Sequence, residues 1–373
     1  MDALMLPLNW QRVRLGDIGK PCMCKRVMKH QTTRYGEIPF YKIGTFGNTA
    51  DAFISKELFL EYKTKYSFPK KGDILISASG TIGRAVIYDG KPAYFQDSNI
   101  VWIDNDETLV KNDFLFYAYS NVKWNTEHTT ILRLYNDNFR NTLIPLPPLN
   151  EQSAIANILS GLDRYLYALD ALILKKEGVK KALSFELLSQ RKRLKGFNQA
   201  WQRVRLGDIA NYLTSNLSVE QITQQGKIKV YDVNNFIGYT DTTFISDKPY
   251  ISIVKDGSVG RVRILPPKTN ILSTMGALIA NHRTTTEFLF YLLSNFDFKN
   301  FTSGSIIPHI YFKDYKEKTI FLPPLNEQSA IANILSALDN EIISLKNKKR
   351  QFENIKKALN HDLMSAKIRV LEK

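Results

Sequence analysis

The chain has 373 residues, 44% of them hydrophobic and 23% charged, which is typical of a globular protein with a substantial buried core. It has no apolar run near ~18 residues, no recognisable signal peptide and only two cysteines, so we expect a cytoplasmic protein without membrane contact or disulfides. A net charge of +15 favours a polyanionic partner, nucleic acid above all.

Two strings occur twice along the chain. WQRVRLGDI occupies 10–18 and 201–209, and LPPLNEQSAIANILS occupies 146–160 and 322–336. The first string is displaced by 191 residues and the second by 176, so the first module is 15 residues longer between its markers. The chain is therefore a duplicated pair of modules whose edges match and whose middles have diverged.

Short apolar segments between the markers predict strands. GDILISA (72–78), AVIYDG (85–90) and NIVWID (99–104) are rich in β-branched and aromatic residues and are bounded by Gly, Asp or Asn. DFLFYAYSN (113–121) returns as EFLFYLLSN (287–295) and fits either a short helix or a buried strand. We therefore expect a mixed α/β (α+β) fold in each module.

A loop of the form G-[TS]-[IV]-G-R follows one of these strands in each module, within ISASGTIGRAVI (76–87) and IVKDGSVGRVRI (253–264). Two glycines allow a tight turn and a close approach to a ligand, and the polar residues beside them offer hydrogen bonds. These residues are Ser79, Thr81 and Arg84, and at equivalent positions Asp256, Ser258 and Arg261. The alternative is a plain turn between two strands.

A long amphipathic helix is predicted after Pro147–Pro148 and after its repeat, with Asn150 as the N-cap of the first helix. The apolar positions are Ile155, Ile158, Leu162, Tyr165, Leu169, Leu172 and Val179, and then Ile331, Ile334, Leu338, Ile342, Leu345, Phe352, Ile355, Leu359 and Leu363. Two such stripes of roughly 40 residues predict an antiparallel coiled coil between the helices. The alternative is that each helix packs on its own module.

Motifs for catalysis are absent from the sequence. It contains neither the P-loop string nor the Asn/Asp-Pro-Pro-Tyr motif of a base methyltransferase, and the LPPL strings cannot replace the latter. Cys22, Cys24 and His30 have poor spacing for zinc. His128, His282 and His309 could pair with nearby acids, although lone histidines are more often structural. We expect no catalytic residue, metal or cofactor.

The order of these features closely resembles the specificity (S) subunit of type I restriction–modification systems. The features are a W-x-x-V-x-LGDI start, a variable domain with a G-[TS]-x-G loop, and a PLPPLNEQ-type string leading into a long helix, all present twice. The resemblance implies a non-catalytic subunit in which two target recognition domains each read half of a split double-stranded DNA sequence. It also implies spacer helices that fix the gap and dock two methyltransferase (M) subunits, through which restriction (R) subunits join.

Carried onto this chain, the resemblance places the first recognition domain at 1–145 and the second at 197–321. The repeated regions with their spacer helices then occupy 146–196 and 322–373, and the two halves are expected to be related by pseudo-two-fold symmetry.

Candidate contacts follow from the resemblance. Polar residues retained in the repeated strings, which core packing alone would not fix, are expected to dock the M subunits: Asn150, Glu151, Gln152, Asn326, Glu327 and Gln328. Lys42 and Asn235 join the loop residues as expected base contacts, with Arg suited to guanine and Asn to adenine. Lys70 and Lys71 are expected on phosphates.

Two alternatives stay open at this point. The same fold could be an orphan scaffold that kept protein interaction after losing its restriction partners, or a self-contained modification enzyme, which the missing motifs oppose. If the chain is instead a DNA-reading specificity subunit, its two DNA half-sites should differ, because HIYFKD (309–314) matches RLYNDN (133–138) poorly.

Overall fold

The structure is a computed structural model that describes residue 7 and residues 9–128 and 132–370, with only the backbone of Glu127 and His128. The contacts divide the chain into two compact units, residues up to 169 with 348 onward, and residues 170–347. Each unit thus combines one globular module with the start of one long helix and the end of the other. The division differs from the four consecutive segments expected from the resemblance.

The chain begins with the first module, which runs into a long helix whose residues from 170 onward belong to unit 2. Its elements are β1 (Gln11–Arg14), α1 (Leu15–Ile18), β2 (Gly19–Met23), β3 (Ile38–Tyr41), β4 (Phe53–Ile54), α2 (Lys56–Lys65), β5 (Ile74–Ser77), β6 (Ala85–Ile87), β7 (Tyr94–Phe95), β8 (Ile100–Asn105), α3 (Asn112–Tyr119), β9 (Glu127–His128), β10 (Leu132–Arg133), α4 (Asn136–Asn141), β11 (Leu143–Leu146) and α5 (Leu149–Leu188).

The second module repeats this order of strands, without α-helices in the places of α1 and α2. Its elements are β12 (Gln202–Arg205), β13 (Ala210–Thr214), β14 (Ile228–Tyr231), β15 (Phe236–Thr240), β16 (Tyr250–Val254), β17 (Val262–Leu265), β18 (Thr269–Ile271), β19 (Met275–Ala280), α6 (Thr286–Ser294), β20 (Thr302–Ser303), β21 (His309–Ile310), α7 (Phe312–Tyr315), β22 (Thr319–Leu322) and α8 (Leu325–Met364).

Both modules have the same sheet topology. The first has a four-stranded sheet β2-β8-β5-β6, a three-stranded sheet β4-β3-β7, and the pairs β1-β11 and β9-β10. The second has β13-β19-β16-β17, β15-β14-β18, β12-β22 and β20-β21. The pairs β1-β11 and β12-β22 join the first marker string of each module to the strand that leads directly into the second string.

The central strands are buried on both faces. All four residues of β5 and all five of β16 are buried. The ambiguous segment 113–121 is a helix, α3, whose Phe114 and Leu115 lie in the core of the first module. Helix α2 has no counterpart in the second module, where β15 leads to β16 without a helix, so much of the length difference lies there.

Helices α5 and α8 contain 40 residues each, about 60 Å at 1.5 Å per residue. They confirm the predicted length. Helix α5 begins at Leu149, so Asn150 lies in its first turn and is not the cap; its Oδ1 accepts a hydrogen bond from the Glu151 amide (2.9 Å).

The two helices pair with opposite directions within each unit. In unit 1, Asp163 binds Lys356 and the Tyr165 ring lies 4.7 Å from that of Phe352. Residue numbers therefore rise on one helix while they fall on the other. In unit 2, Lys176 lies 2.7 Å from Glu341 and Lys180 lies 2.5 Å from Asp339. These pairs confirm the antiparallel arrangement.

The predicted apolar seam is partly wrong. Ile158, Leu172, Val179 and Ile355 are exposed rather than buried. The first turns of each helix instead insert into the core of their own module, where Ile155, Ala156 and Leu159, and equally Ile331, Ala332 and Leu335, are buried. Both packing alternatives therefore apply, because each helix begins on its module and continues against the other helix.

Among the described residues, none of the helices combines the length and apolar character that crossing a membrane requires.

Candidate nucleic-acid interface and docking frame

The glycine loop of the first module (residues 78–84) connects β5 to β6. Gly80 and Gly83 have φ angles of +64° and +82°, which other residues adopt only at a cost. A Cβ on Gly83 would lie 2.0 Å from Nε1 of Trp124, so that ring occupies the space against the loop. The two glycines are therefore required by the turn and by the packing.

The second glycine loop (residues 255–261) connects β16 to β17 and is built in the same way. Gly257 and Gly260 have φ angles of +83° and +80°. A Cβ on Gly260 would lie 2.6 Å from Cδ2 of Phe298, which takes the place of Trp124. An aromatic ring thus packs against the second glycine of each loop.

The predicted side chains of the first loop divide by exposure. Thr81 and Arg84 are exposed, and Nη1 of Arg84 donates to the Phe46 carbonyl (3.0 Å). Ser79 is only 9% exposed, and its hydroxyl donates to Oδ1 of Asn99 (2.8 Å). Ser79 therefore orients the loop from behind, and a direct contact between its hydroxyl and a ligand is not supported.

In the second loop, Ser258 and Arg261 are exposed, and Nη2 of Arg261 donates to Oδ1 of Asn234 (2.9 Å). Asn235 is exposed in the same β14–β15 turn as Asn234, so it lies beside the residue that Arg261 contacts. Asp256 is partly buried, and its Oδ1 lies 2.6 Å from Nδ1 of His309. Of the two possibilities that the sequence left open for His309, the pairing with a nearby acid is the one observed.

The lysines predicted to bind DNA lie in two places. Lys42 pairs with Asp51 (2.8 Å) in the β3–β4 connection, whose Phe46 contacts the glycine loop. Lys70 and Lys71 precede β5, whereas the loop follows it, and Lys70 pairs with Asp104 (2.9 Å) near the end of β8. Lys70 and Lys71 therefore lie at the opposite end of the sheet from the loop, and the structure does not combine them with it.

The repeated glutamate at each helix start is buried and fully engaged. In unit 1, the Trp10 indole donates to Glu151 (3.0 Å), and Arg369 binds both carboxylate oxygens (2.7 and 3.0 Å). Glu151 is 7% exposed. The carboxylate therefore links the first strand region, the start of α5 and the segment after α8.

Unit 2 repeats this arrangement with the helices exchanged. The Trp201 indole donates to Glu327 (2.9 Å), and Arg193, five residues beyond α5, binds both oxygens (3.2 and 2.6 Å). Arg193 and Arg369 are 176 residues apart, the same displacement as Glu151 and Glu327. We call these two clusters the Trp–Glu–Arg frames.

The repeated glutamines are also inside the modules. The side-chain amide of Gln152 accepts from the Lys111 amide before α3 (2.8 Å) and donates to the Leu109 and Pro147 carbonyls. The Gln328 amide makes the matching bonds to residues before α6, accepting from the Thr284 hydroxyl and the Thr285 amide and donating to the Arg283 and Pro323 carbonyls. Both glutamines are 0% exposed.

These contacts correct the interpretation of the repeated polar residues. Glu151, Gln152, Glu327 and Gln328 are held by intramolecular hydrogen bonds, because a buried polar group without partners is costly. Core structure alone therefore accounts for them, and they offer no surface to a partner. Of the six residues predicted to dock M subunits, Asn150 and Asn326 are exposed.

A third repeated cluster lies where each module meets the helix pair. The Tyr117 hydroxyl donates to Asp163 (2.7 Å), which also binds Lys356, and the Tyr291 hydroxyl donates to Asp339 (2.9 Å), which also binds Lys180. Burial, and then the neighbouring carboxylate, raise the pKa of both tyrosines, so both hydroxyls remain donors at neutral pH.

The described residues contain no group of three or more potential metal ligands, and Cys22, Cys24 and His30 form no such site. Residues that the sequence did not single out are Trp124 and Phe298 behind the loops. Arg133 occupies the place of His309, the equivalence that the comparison of segments 133–138 and 309–314 had already implied.

Comparison with known proteins bears on this geometry. The family model for the type I restriction modification DNA specificity domain matches residues 7–176 and again 198–354. The chain belongs to this family of type I restriction–modification specificity subunits. Both matches run from the start of a module into its long helix, so the two specificity domains correspond to the two copies in the sequence.

Individual relatives agree. A specificity subunit from Methanocaldococcus jannaschii, of the type I restriction enzyme MjaVIII, is 25% identical over an alignment of 414 positions, covering 99% of this chain and 95% of that protein. A Haemophilus influenzae protein described as a type I restriction enzyme specificity subunit is 64% identical over 148 residues. That alignment spans 39% of this chain and 38% of the relative.

Solved structures share the fold. The specificity subunit of a type I system from M. genitalium matches with a TM-score of 0.63 at 20% identity, covering 96% of this chain and 98% of that one. A chain from a study of complex assembly and conformational transition in the type I system matches with a TM-score of 0.57 at 16% identity, over 96% and 98%. The family and the mixed α+β fold were both predicted correctly.

Proposed function

We propose that this specificity subunit reads a bipartite, asymmetric double-stranded DNA target, one half with each module, and carries no catalytic group itself. The observation that supports this most directly is the pair of glycine loops. Their backbone frames match, with two glycines, an arginine and an aromatic ring in each, while Ser79 and Thr81 of the first loop correspond to Asp256 and Ser258 of the second. Matching backbone frames that carry different side chains are suited to contacting DNA in the same way in both modules while recognising two different sequences.

In this proposal Arg84 and Arg261 lie closest to the bases, with Thr81, Ser258 and Asn235 beside them. All five are exposed. Lys42 lies beside the first loop, whereas Lys70 and Lys71 contact phosphates only if DNA extends to the other end of the sheet. The charge of +15 predicts binding that weakens steeply with salt.

The long helices act as spacers and as the docking site of two M subunits, through which R subunits join. The docking surface proposed here is the exposed face of each helix start. It comprises Leu149, Asn150, Ser153 and Asn157 on α5, and Leu325, Asn326, Ser329 and Asn333 on α8. Each set lies on one face of its helix by spacing, and the two sets are identical in sequence. Two identical surfaces can bind two copies of one partner.

The first test is co-expression with the candidate M subunit, purification of the complex, and sequencing of the methylated positions in exposed genomic DNA. A single split, asymmetric motif is the expected result. Exchange of either module for that of another specificity subunit should then change one half of the motif. A stable complex without methylation would contradict the reading role, and absence of any complex would favour the orphan scaffold.

The docking surface has its own test. Asn150→Arg and Asn326→Arg should each leave a complex with one M subunit, and the double variant should bind none, as measured by mass of the complex in solution. Asn340→Arg, an exposed change further along α8, is the control and should leave two M subunits bound. If Asn340→Arg lost M subunits to the same extent, the proposed docking surface would be wrong.

A further inference from the structure

Each glycine loop is joined to a two-stranded hairpin, β9-β10 in the first module and β20-β21 in the second. In the first, the Leu134 amide donates to the Ala78 carbonyl (2.9 Å). In the second, the Ile310 amide donates to the Lys255 carbonyl (2.9 Å), and the Gly257 amide donates to the Pro308 carbonyl (2.8 Å). Loop and hairpin are therefore held side by side in each module.

Two residues face each other across this junction in each module. They are Ser79 and Arg133 in the first, and Asp256 and His309 in the second, each pair forming an antiparallel bridge. These four residues occupy equivalent positions, yet the pairs differ completely in chemistry. We call them the junction pairs.

The second junction pair presents acceptors. Oδ1 of Asp256 lies 2.6 Å from Nδ1 of His309, and the two side chains are 30% and 36% exposed, respectively. Because the carboxylate accepts from Nδ1, it fixes the orientation of the ring, and the ring in turn holds the carboxylate in place. The carboxylate is then a rigid acceptor at the surface of the junction.

The first junction pair presents donors. Nη2 of Arg133 is fixed by the carbonyl and hydroxyl of Ser98 (3.2 and 2.9 Å) and by Oδ1 of Asn99 (3.1 Å). The same Asn99 oxygen accepts from Ser79, so Ser79 positions the arginine through a shared partner. Among the described residues, the contacts of the guanidinium to Ser98 and Asn99 all run through Nη2, which is one of its three nitrogens.

We infer that the junction pairs determine one base position in each half-site, with opposite hydrogen-bonding character. Arg133 donates to the acceptor edge of a guanine, while Asp256, held by His309, accepts from the exocyclic amino group of a cytosine or an adenine. This inference rests on the proposed function, because it requires the loop surfaces to meet bases. It adds the hairpin residues Arg133 and His309 to the reading surface and assigns Ser79 to positioning.

The test exchanges the pairs within the complex with the M subunit. Asp256→Ser with His309→Arg gives the second module the first junction pair, and Ser79→Asp with Arg133→His does the reverse. Methylated motifs are sequenced for each. We expect the first exchange to alter one base of the second half-site toward guanine, and the reverse exchange to alter one base of the first half-site, with the other half unchanged in each case.

Single variants cover the case in which an exchange prevents folding. Asp256→Asn keeps the shape of the side chain but removes its charge and half of its accepting capacity. It should lower methylation of the cognate site by roughly 10- to 150-fold, the range for one hydrogen bond to a charged group, and relax selectivity at one position. Asp241→Asn is the control, since Asp241 binds the Lys227 amide at the other end of the β14–β15 hairpin and should change nothing.

The outcomes separate the two proposals. If the wild-type complex produces no split motif, the proposed function fails. If it produces one and neither the exchanges nor Asp256→Asn alter any base preference, the junction inference is wrong while the function stands. Loss of selectivity in both halves from a single exchange would also overturn it.

Discussion

The Trp–Glu–Arg frames and the junction pairs are two regions that both occur twice, and they differ in what the two copies keep. The frames use the same three residue types with the same bonds around Glu151 and Glu327. The junction pairs use Ser with Arg in one module and Asp with His in the other. Both regions contain polar networks, so polarity alone does not decide which one varies.

Burial explains the difference. The frame carboxylates are 7% and 0% exposed, so removing any partner leaves a charge without solvent. The Asp256–His309 pair is about one-third exposed, so water replaces a lost partner at low cost. The residues of a buried network are thus retained because changing them destabilises the fold, whereas the residues of an exposed network can differ between modules that bind different ligands.

The largest expected effect comes from the frames. Glu151→Ala or Glu327→Ala leaves an indole and a guanidinium without their acceptor, and we expect each to cost about 3 kcal/mol of unfolding free energy. Denaturant unfolding followed by tryptophan fluorescence measures this.

Arg193→Ala and Arg369→Ala are the matched controls and should cost less, because the glutamate keeps its indole and the arginines are 30% and 36% exposed. If the glutamate variants cost no more than the arginine variants, the buried carboxylate is not what stabilises the frame.

Within the glycine loops we expect a smaller but sharp contrast. Gly83→Ala places a methyl group against Trp124, and Gly260→Ala places one against Phe298. In each variant the steric clash and the backbone strain should together lower the free energy of unfolding by about 2–3 kcal/mol. Gly257→Ala meets no atom within 4 Å and carries only the strain, about 1 kcal/mol. Thermal unfolding of the three variants compares them, and equal shifts would contradict the role of the rings.

The helix pair offers a third contrast. Tyr165 and Phe352 in unit 1 occupy the positions of Glu341 and Lys176 in unit 2, so a ring pair in one unit corresponds to an ion pair in the other. Phe352→Ala should cost about 2 kcal/mol at any salt concentration, since it removes apolar contact.

Lys176→Ala should cost at most about 1 kcal/mol, and high salt should abolish that cost, because the pair is part-exposed and screened. A salt-dependent cost for Phe352→Ala, or a salt-independent one for Lys176→Ala, would show that the two pairs are not what distinguishes the units.

Much of the fold followed from the sequence because the duplication supplied a second copy for comparison. Identical strings located the module edges, and short β-branched runs located β5, β6 and β8. The seam was less predictable, since Ile158 and Ile355 fit a heptad but are exposed, and burial of the helix starts depends on module cores that periodicity does not describe.

The candidate sites were harder to predict. Glu151 and Gln152 look like surface residues in sequence, and only the positions of Trp10, Arg369 and Lys111 in three dimensions show that they are internal. The glycine loops were recognisable because a positive φ favours glycine, which is visible in the sequence. Contact with a hairpin about fifty residues further along the chain produces no local sequence pattern.

The smallest expected effect concerns Cys24, whose buried thiol has no cysteine counterpart in the second module. Burial raises the pKa of Cys24 to about 12, whereas the pKa of the part-exposed Cys22 is raised for the same reason from a less buried position. Because the folded pKa lies above the unfolded one, the stability that Cys24 contributes is complete below pH 9 and declines as the pH rises towards 12.

At pH 8 the thiolate fraction of Cys24 is lower by about 1000-fold than that of an ordinary thiol, so a thiol reagent should label Cys22 first and Cys24 only on unfolding. Mass spectrometry of Cys22→Ser and Cys24→Ser variants after timed labelling distinguishes the two thiols. Rapid labelling of folded Cys22→Ser would show that Cys24 is accessible.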